Sequence, residues 1–185
     1  MLINHKNDGQ TARERKKQRF DGLREFLSHY RAWCGLSAVF RSPFLIGDAY
    51  VQTGVSLDLG QKLQNRDDFG DEEQRMFAYQ DYFVYHMIKA CAKETQLESM
   101  CDETVLEIWE RDRQKNTKSA ELLSTYIDNK CRPTDTGNVL HMHRNTVIYH
   151  VERLSERYGL DLEDSETCLR LQISFRVLDL LREQD

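Results

Sequence analysis

Along the second half of the chain, apolar residues recur at helical spacing. Val147, Val151, Leu154 and Tyr158 fall at i, i+4, i+7 and i+11, which is one face of an α-helix. Tyr149, Glu152, Arg153 and Glu156 lie on the opposite face, and Gly159 supplies a C-terminal stop. A shorter helix precedes this one. Thr134, following Pro133, is a suitable N-cap, and the run ends near Leu140. Gly137 sits in its middle, where glycine costs about 1 kcal/mol relative to alanine; a close crossing by another helix would explain it. His141, Met142 and His143 form the turn, with Met142 as the apolar plug between the two helices. Thr134 to Gly159 therefore reads as short helix, tight turn, long helix.

The remaining pattern places elements on both sides of the polar stretch Glu110 to Asn116. Residues 1 to about 9 are expected to be disordered. From Gln10 to about Arg31, Phe20, Leu23, Phe26, Leu27 and Tyr30 share a helical face. Trp33 to Phe40 has short alternating and β-branched character and reads as a strand. Ser42 then caps a helix with Pro43 at its first position and Gly60 at its close. An acidic loop through Asp67, Asp68, Asp71, Glu72 and Glu73 follows. Next come a second strand at Arg75 to Tyr79 and an aromatic-rich helix from Gln80 to about Lys93. Asp102 caps a helix holding Val105, Leu106, Ile108 and Trp109, and the polar stretch after it is the expected hinge. A helix starting at Thr117 presents Leu122, Leu123, Tyr126 and Ile127 on one face. Asp164 or Ser165 caps the last helix, whose apolar residues cover more than one stripe and so must touch two neighbours.

These elements predict a mostly α fold with a small α+β N-terminal part and a C-terminal helix-turn-helix bundle. The expected divisions are an α+β region at 1–95, a helical linker or hinge at 96–116, and the C-terminal domain at 117–185.

Composition narrows the function classes. Charged residues make up 31% of the 185 and hydrophobic ones 39%, which suits a soluble globular protein with a modest core. No apolar run is long enough to span a membrane, and MLINHKNDGQ lacks the apolar core of a signal peptide, so the expected location is the cytoplasm. The five cysteines form no CxxC pair and suggest no disulfide framework. His141, His143 and His150 invite a zinc reading. However, an HxH at a turn points its side chains apart, and no further ligand completes a site, so neither metal nor cofactor is expected. There is no GGDEF or GGEEF signature, no phosphate-cradling glycine loop, and no Ser/His/Asp or Cys/His arrangement. The acidic cluster at 67–73 reads as a solvated loop. The chain is not expected to be an enzyme.

The chemistry at the start of the long helix points to DNA. Arg144, Asn145 and Thr146 occupy its first turn, the part of a recognition helix that meets base edges in the major groove. Arginine can read guanine bidentately, asparagine can read adenine, and threonine can bond a phosphate or touch a thymine methyl. Free N–H groups at the same helix end would favour a phosphate. An ordinary helical hairpin, with Asn145 and Thr146 as local caps, has the same spacing. The net charge of −5 argues against DNA. From Asp128 to Tyr158 the balance is five Lys/Arg against four acids, or +1, which leaves dimerisation to supply the missing contacts. The basic run TARERKKQR near the N-terminus reads as a solvated helix face rather than a DNA-contacting arm.

The residues carry a resemblance. HMHRNTVIYHVERLSERYGLDLED, and LRLQISFRVLDLL after it, resemble the C-terminal helix-turn-helix domain of PucR/CdaR-type bacterial transcription regulators. That family's pattern is a His-Arg-Asn-Thr run, a Tyr-Arg pair and a Gly-Leu-Asp-Leu exit before a final apolar helix. Here these are His143 to Thr146, Tyr149–His150, and Gly159 to Leu162, in a match running without gaps from about Tyr126 to Val177. His150 stands where the family has arginine, removing a permanent positive charge, and Gly137 stands where it has alanine. The GLS strand end and the AYVQTGVSLDLG helix are similar to the later part of a GGDEF-like domain. Its opening strands have no counterpart here, so the chain is either a piece of a longer protein or a short one with a reduced N-terminal half.

The resemblance implies a sequence-specific, dimeric regulator binding double-stranded DNA at paired half-sites and controlling catabolic or metabolic genes. A small-molecule effector of unidentified chemistry would be a further partner. Arg144 and Asn145 would contact bases. His143, Thr146 and Tyr149 would serve phosphates or positioning, and His150 and Arg153 the flanking backbone. Thr134 joins this set from the start of the shorter helix. The alternative is a regulatory dimerisation module whose DNA binding is weak or lost.

Overall fold

A computed structural model describes residues 12–64 and 75–183 of the protein. The N-terminal residues expected to be disordered and the acidic loop at 67–73 lie outside them. The architecture is mostly helical, as the periodicity predicts, and the chain divides into two compact units, Met1–Phe83 and Val84–Asp185.

In the first unit, α1 spans Ala12–His29, β1 Cys34–Leu36, α2 Ile46–Gln64 and β2 Met76–Ala78. The strands pair in parallel, with Cys34 opposite Met76, Gly35 opposite Phe77 and Leu36 opposite Ala78. A parallel pair needs a long crossover, and α2 supplies it. The strand expected over 33–40 is therefore only three residues long. The chain leaves the ladder because the Ala38 N–H donates to Gln52 Oε1 of α2 at 2.9 Å. Ser42 does cap, accepting from the Phe44 N–H at 3.4 Å, but what it caps is a short 3-10 turn, Pro43–Leu45, leading into α2. Gly60 does not end α2, which continues to Gln64. A Cβ at Gly60 would stand 2.1 Å from Phe77 Cγ, so its bare backbone is the seat for that ring. Gly35 plays the same part for the strand, since a Cβ there would stand 2.0 Å from the Thr53 carbonyl oxygen of α2. On α1, Leu27 is buried while Phe26, and Tyr30 just past the helix end, stay exposed with their rings tilted together at 4.6 Å between centroids. The expected apolar face of that helix is only partly used.

α3, Tyr79–Cys91, runs on into the second unit, which continues with α4 (Glu103–Lys115), α5 (Ser119–Asp128), α6 (Pro133–Val139), α7 (Arg144–Tyr158) and α8 (Ser165–Leu181). The second unit is organised around α5, against which α4, α6, α7 and α8 all pack. Leu123, Ile127, Val147, Leu171 and Phe175 meet in one buried cluster, extended by Val105 and Ile108 of α4. Asp102 caps α4 as expected, with Oδ1 accepting from the Thr104 N–H at 2.9 Å, while Oδ2 accepts from Arg170 Nε of α8 at 2.7 Å. Asp164 caps α8 by accepting from the Thr167 N–H at 2.8 Å. Tyr85 of α3 donates to Asp179 of α8 at 2.8 Å.

The expected hinge is a fixed corner. Residues 110–115 are the last turns of α4, closed by Asn116 in left-handed backbone (φ 51). Asp112 is buried, and its carboxylate accepts from Thr117 Oγ1 and, at 2.7 Å, from the Ala120 N–H at the head of α5. A helix that ends on a buried, fully engaged carboxylate has little freedom to swing. This engagement also delays α5, which begins at Ser119 rather than Thr117. The observed division between units falls at 83/84, well before the expected linker.

Burial pushes two thiols up. Desolvation raises Cys101 to about 11, against a smaller opposing hydrogen bond with the Ser174 side chain. Desolvation and then the neighbouring Cys168 raise Cys131 to about 11. The ordinary value is 9.0. Because the folded protein holds these protons longer than the unfolded chain, their contribution is full below about pH 9. It is lost as pH rises towards 11. Thermal unfolding at pH 8, 9.5 and 11 should show the midpoint falling over that window, and falling less in Cys101→Ala/Cys131→Ala. Identical slopes for the two proteins would count against this account.

Candidate nucleic-acid interface

The chain enters α6 through an unusual corner. Lys130 and Cys131 both take left-handed backbone (φ 57 and 55), and Pro133, with its fixed φ, starts the helix. The N-cap is therefore Arg132, without a side-chain bond, and Thr134 is an exposed residue of the first turn rather than the cap. The threonine that organises α6 is Thr136, fully buried, whose Oγ1 donates to the Arg132 carbonyl at 2.8 Å.

Gly137 answers to the turn, not to a second helix axis. The Met142 N–H donates to the Gly137 carbonyl at 2.8 Å, and a Cβ on Gly137 would stand 2.5 Å from the Met142 carbonyl oxygen. His141 takes left-handed backbone (φ 53) to make the reversal, and Met142 packs against the core as the apolar plug.

His143 is the N-cap of α7. Its Nδ1 accepts from the Asn145 N–H at 3.2 Å, so the ring carries a lone pair there. Its carbonyl accepts from the Thr146 N–H at 2.9 Å and the Val147 N–H at 3.2 Å. The N–H groups of Asn145, Thr146 and Val147, expected to be open to a phosphate, are therefore satisfied within the protein. What this helix end offers to a ligand is side chains. Arg144, Asn145 and Thr146 are all exposed on the first turn, while Val147, Val151 and Leu154 are buried on the inner face. Gly159 ends the helix in left-handed backbone (φ 63).

Tyr149 and His150 stand one turn further on, both exposed, with ring centroids 5.3 Å apart. Arg153 Nη1 donates to Tyr149 Oη at 3.2 Å, and its guanidinium lies 5.6 Å from the Tyr149 ring centroid. Tyr149 thus holds Arg153 against the helix surface, a positioning contact between two residues that the sequence had marked separately. Of the eight marked residues, seven lie on α7 or its cap, and Thr134 stands apart on α6.

Three residues beyond the marked set belong to this surface. Ile148 is 36% exposed, i+4 from Arg144 and i+3 from Asn145, where an apolar side chain can touch a thymine methyl. Its signal in the sequence was an isoleucine lying off the buried stripe. Arg111 and Lys118 come from α4 and the head of α5 and face α7 across a groove. Spacing within the helix-turn-helix does not reveal them. Among the described residues no group of three His, Cys, Asp or Glu side chains is placed to hold a metal ion, and no helix is long and apolar enough to cross a membrane.

The short helix, its closed turn and the capped long helix define a helix-turn-helix domain. Residues 120–177 match the family model described as the PucR C-terminal helix-turn-helix domain. The purine catabolism regulatory protein of Bacillus subtilis (strain 168) is 36% identical over 69 residues, covering 37% of this chain and 13% of that protein. The proline-responsive transcriptional activator PutR of the same organism is 19% identical over 109 residues, covering 59% and 26%. The carbohydrate diacid regulator of Escherichia coli (strain K12) is 22% identical over 170 residues, covering 92% and 41%. The chain thus spans well under half the length of these relatives. No solved structure matches it significantly.

Proposed function

We propose that the chain is a sequence-specific DNA-binding transcriptional regulator that reads paired half-sites as a homodimer, with α7 as its recognition helix. The observation that carries this is the first turn of α7, where Arg144, Asn145 and Thr146 are exposed together on a helix fixed by the His143 cap. Arg144 and Asn145 contact bases in this reading. Thr146, Tyr149, His150 and Arg153 serve the backbone, His143 sets the helix start, and Thr134 meets the strand nearest α6. The relatives' names support the class and favour catabolic or metabolic genes as targets, under a small-molecule effector of unidentified chemistry. A regulator of this kind works in the cytoplasm and needs no catalytic activity. The crossover between the parallel strands of the first unit supports a likeness of residues 1–95 to part of a GGDEF-like domain.

Selection from a random duplex library at moderate salt tests the reading, comparing wild type with Asn145→Ala. Wild type should enrich a motif of two half-sites spaced by about one helical turn or a multiple of it. The variant should relax one position in each half-site, at about 1–3 kcal/mol per base. No enrichment by wild type would sink the DNA-reader assignment. An unpaired motif bound by a monomer would remove the dimer from it.

A further inference from the structure

One flank of α7 is basic. Thr146, His150, Arg153 and Arg157 follow one another at i, i+4, i+7 and i+11, beside the ridge that carries Asn145 and Tyr149. Facing this flank across an open groove of about 720 Å³ stand Arg111 of α4 and Lys118 at the head of α5. Around the groove, four Lys/Arg side chains (Arg111, Lys118, Arg153 and Arg157) meet one acid, Glu156. The whole chain carries a net charge of −5, so this is a local inversion of sign. A concave surface lined by one sign focuses the field and gathers counter-ions of the other.

We propose that this groove is the track of one DNA strand's sugar–phosphate backbone, with Arg111, Lys118 and Arg157 contacting phosphates. The inference rests on α7 being the recognition helix and extends that surface beyond the helix-turn-helix itself. A helix of 15 residues is about 22 Å long and, laid in a major groove about 12 Å wide, turns its two flanks towards the two strands. With Asn145 on the bases, the flank from Thr146 to Arg157 faces one wall of the DNA groove. Arg111 and Lys118 stand on the far side of the protein groove from it, so a strand in the groove has cations on both sides.

Lys118 pairs with Glu121 at 3.0 Å, but the lysine side chain is 83% exposed, and a pair of that kind holds its partner weakly against a phosphate. Asp112, next to Arg111 in the chain, keeps its carboxylate on Thr117 and Ala120. Since that carboxylate takes the Ala120 N–H, the side chains rather than the head of α5 supply the positive charge.

The test uses the full chain and the duplex selected by wild type, titrated over a salt series, with Arg111→Gln, Lys118→Gln and Arg157→Gln. Each variant should flatten the slope of log K against log[salt] by about 1 and weaken binding about eightfold at 0.1 M salt. The loss should be the same for motif and non-motif duplexes, with the selected motif unchanged. Glu156→Gln, which removes the acid facing the groove, should tighten binding. Lys118→Arg should restore the wild-type slope, as a purely structural role for that side chain would not require. Unchanged slopes and affinities in all three neutralised variants, with wild type still selecting its motif, would overturn the backbone track and leave base reading by α7 standing. A wild type that selects no motif would overturn both.

Discussion

Leu123→Ala should lower the stability of the second unit by about 3–5 kcal/mol. Leu123 is fully buried, and it sits on α5, the helix packed on by α4, α6, α7 and α8. Removing its branched end loses the transfer free energy of the deleted carbons and leaves a cavity walled by several helices. Such a site collapses poorly, because no single neighbour can move inward without leaving the others, and this puts the cost near the top of the usual range. A unit of this size has about 5–10 kcal/mol in all, so the variant should be close to unfolding at 37 °C. Its loss of DNA binding would then be a folding defect, unlike that of Asn145→Ala, whose side chain is exposed. Trp109 packs against this core and Trp33 belongs to the first unit. Urea unfolding followed by fluorescence in a Trp33→Phe background therefore reports the second unit. A change under about 1 kcal/mol would mean that α5 is not the centre of the packing.

Gly35→Ala should cost the first unit about 3 kcal/mol, although only one methyl is added. The new carbon would stand 2.0 Å from the Thr53 carbonyl oxygen and 2.8 Å from Ser56 Oγ, both on α2. The nearer atom is backbone, so relief requires β1 to move off α2, taking its pairing with β2 along; overpacking of this kind reaches the upper end of its range. Gly54→Ala is the matched control. It lies inside α2 with nothing within 4 Å of the added carbon, and should stabilise by up to about 1 kcal/mol through helix propensity. Denaturant titrations of both, read through Trp33 in a Trp109→Phe background, should move in opposite directions. Equal stability of the two variants would refute the close strand–helix contact.

The long helix α7 and its boundaries were legible in the amino-acid sequence. The stripe Val147, Val151, Leu154 became the buried face of α7, Asp102 and Asp164 became caps, and Gly159 became the left-handed stop. Each of these signals is carried by residues within a turn or two of one another in the chain, and local order is enough to read it.

Where the same residue types served distant partners, the sequence-level reading failed. A glycine late in a helix looks like an end, yet Gly60 is there because the Phe77 ring needs its face. A charged run looks like a hinge, yet residues 110–116 close α4 on the buried Asp112. Thr134 has the chemistry of a cap, but the left-handed corner at Lys130 and Cys131 set the helix to begin two residues earlier. Arg111 and Lys118 give no sign of sharing a groove with α7 until the α4–α5 corner brings them opposite Arg153 and Arg157. Periodicity and caps are properties of a few consecutive residues. Which backbone approaches which ring, and which charges share a groove, depends on packing between segments tens of residues apart, and only the tertiary structure decided those.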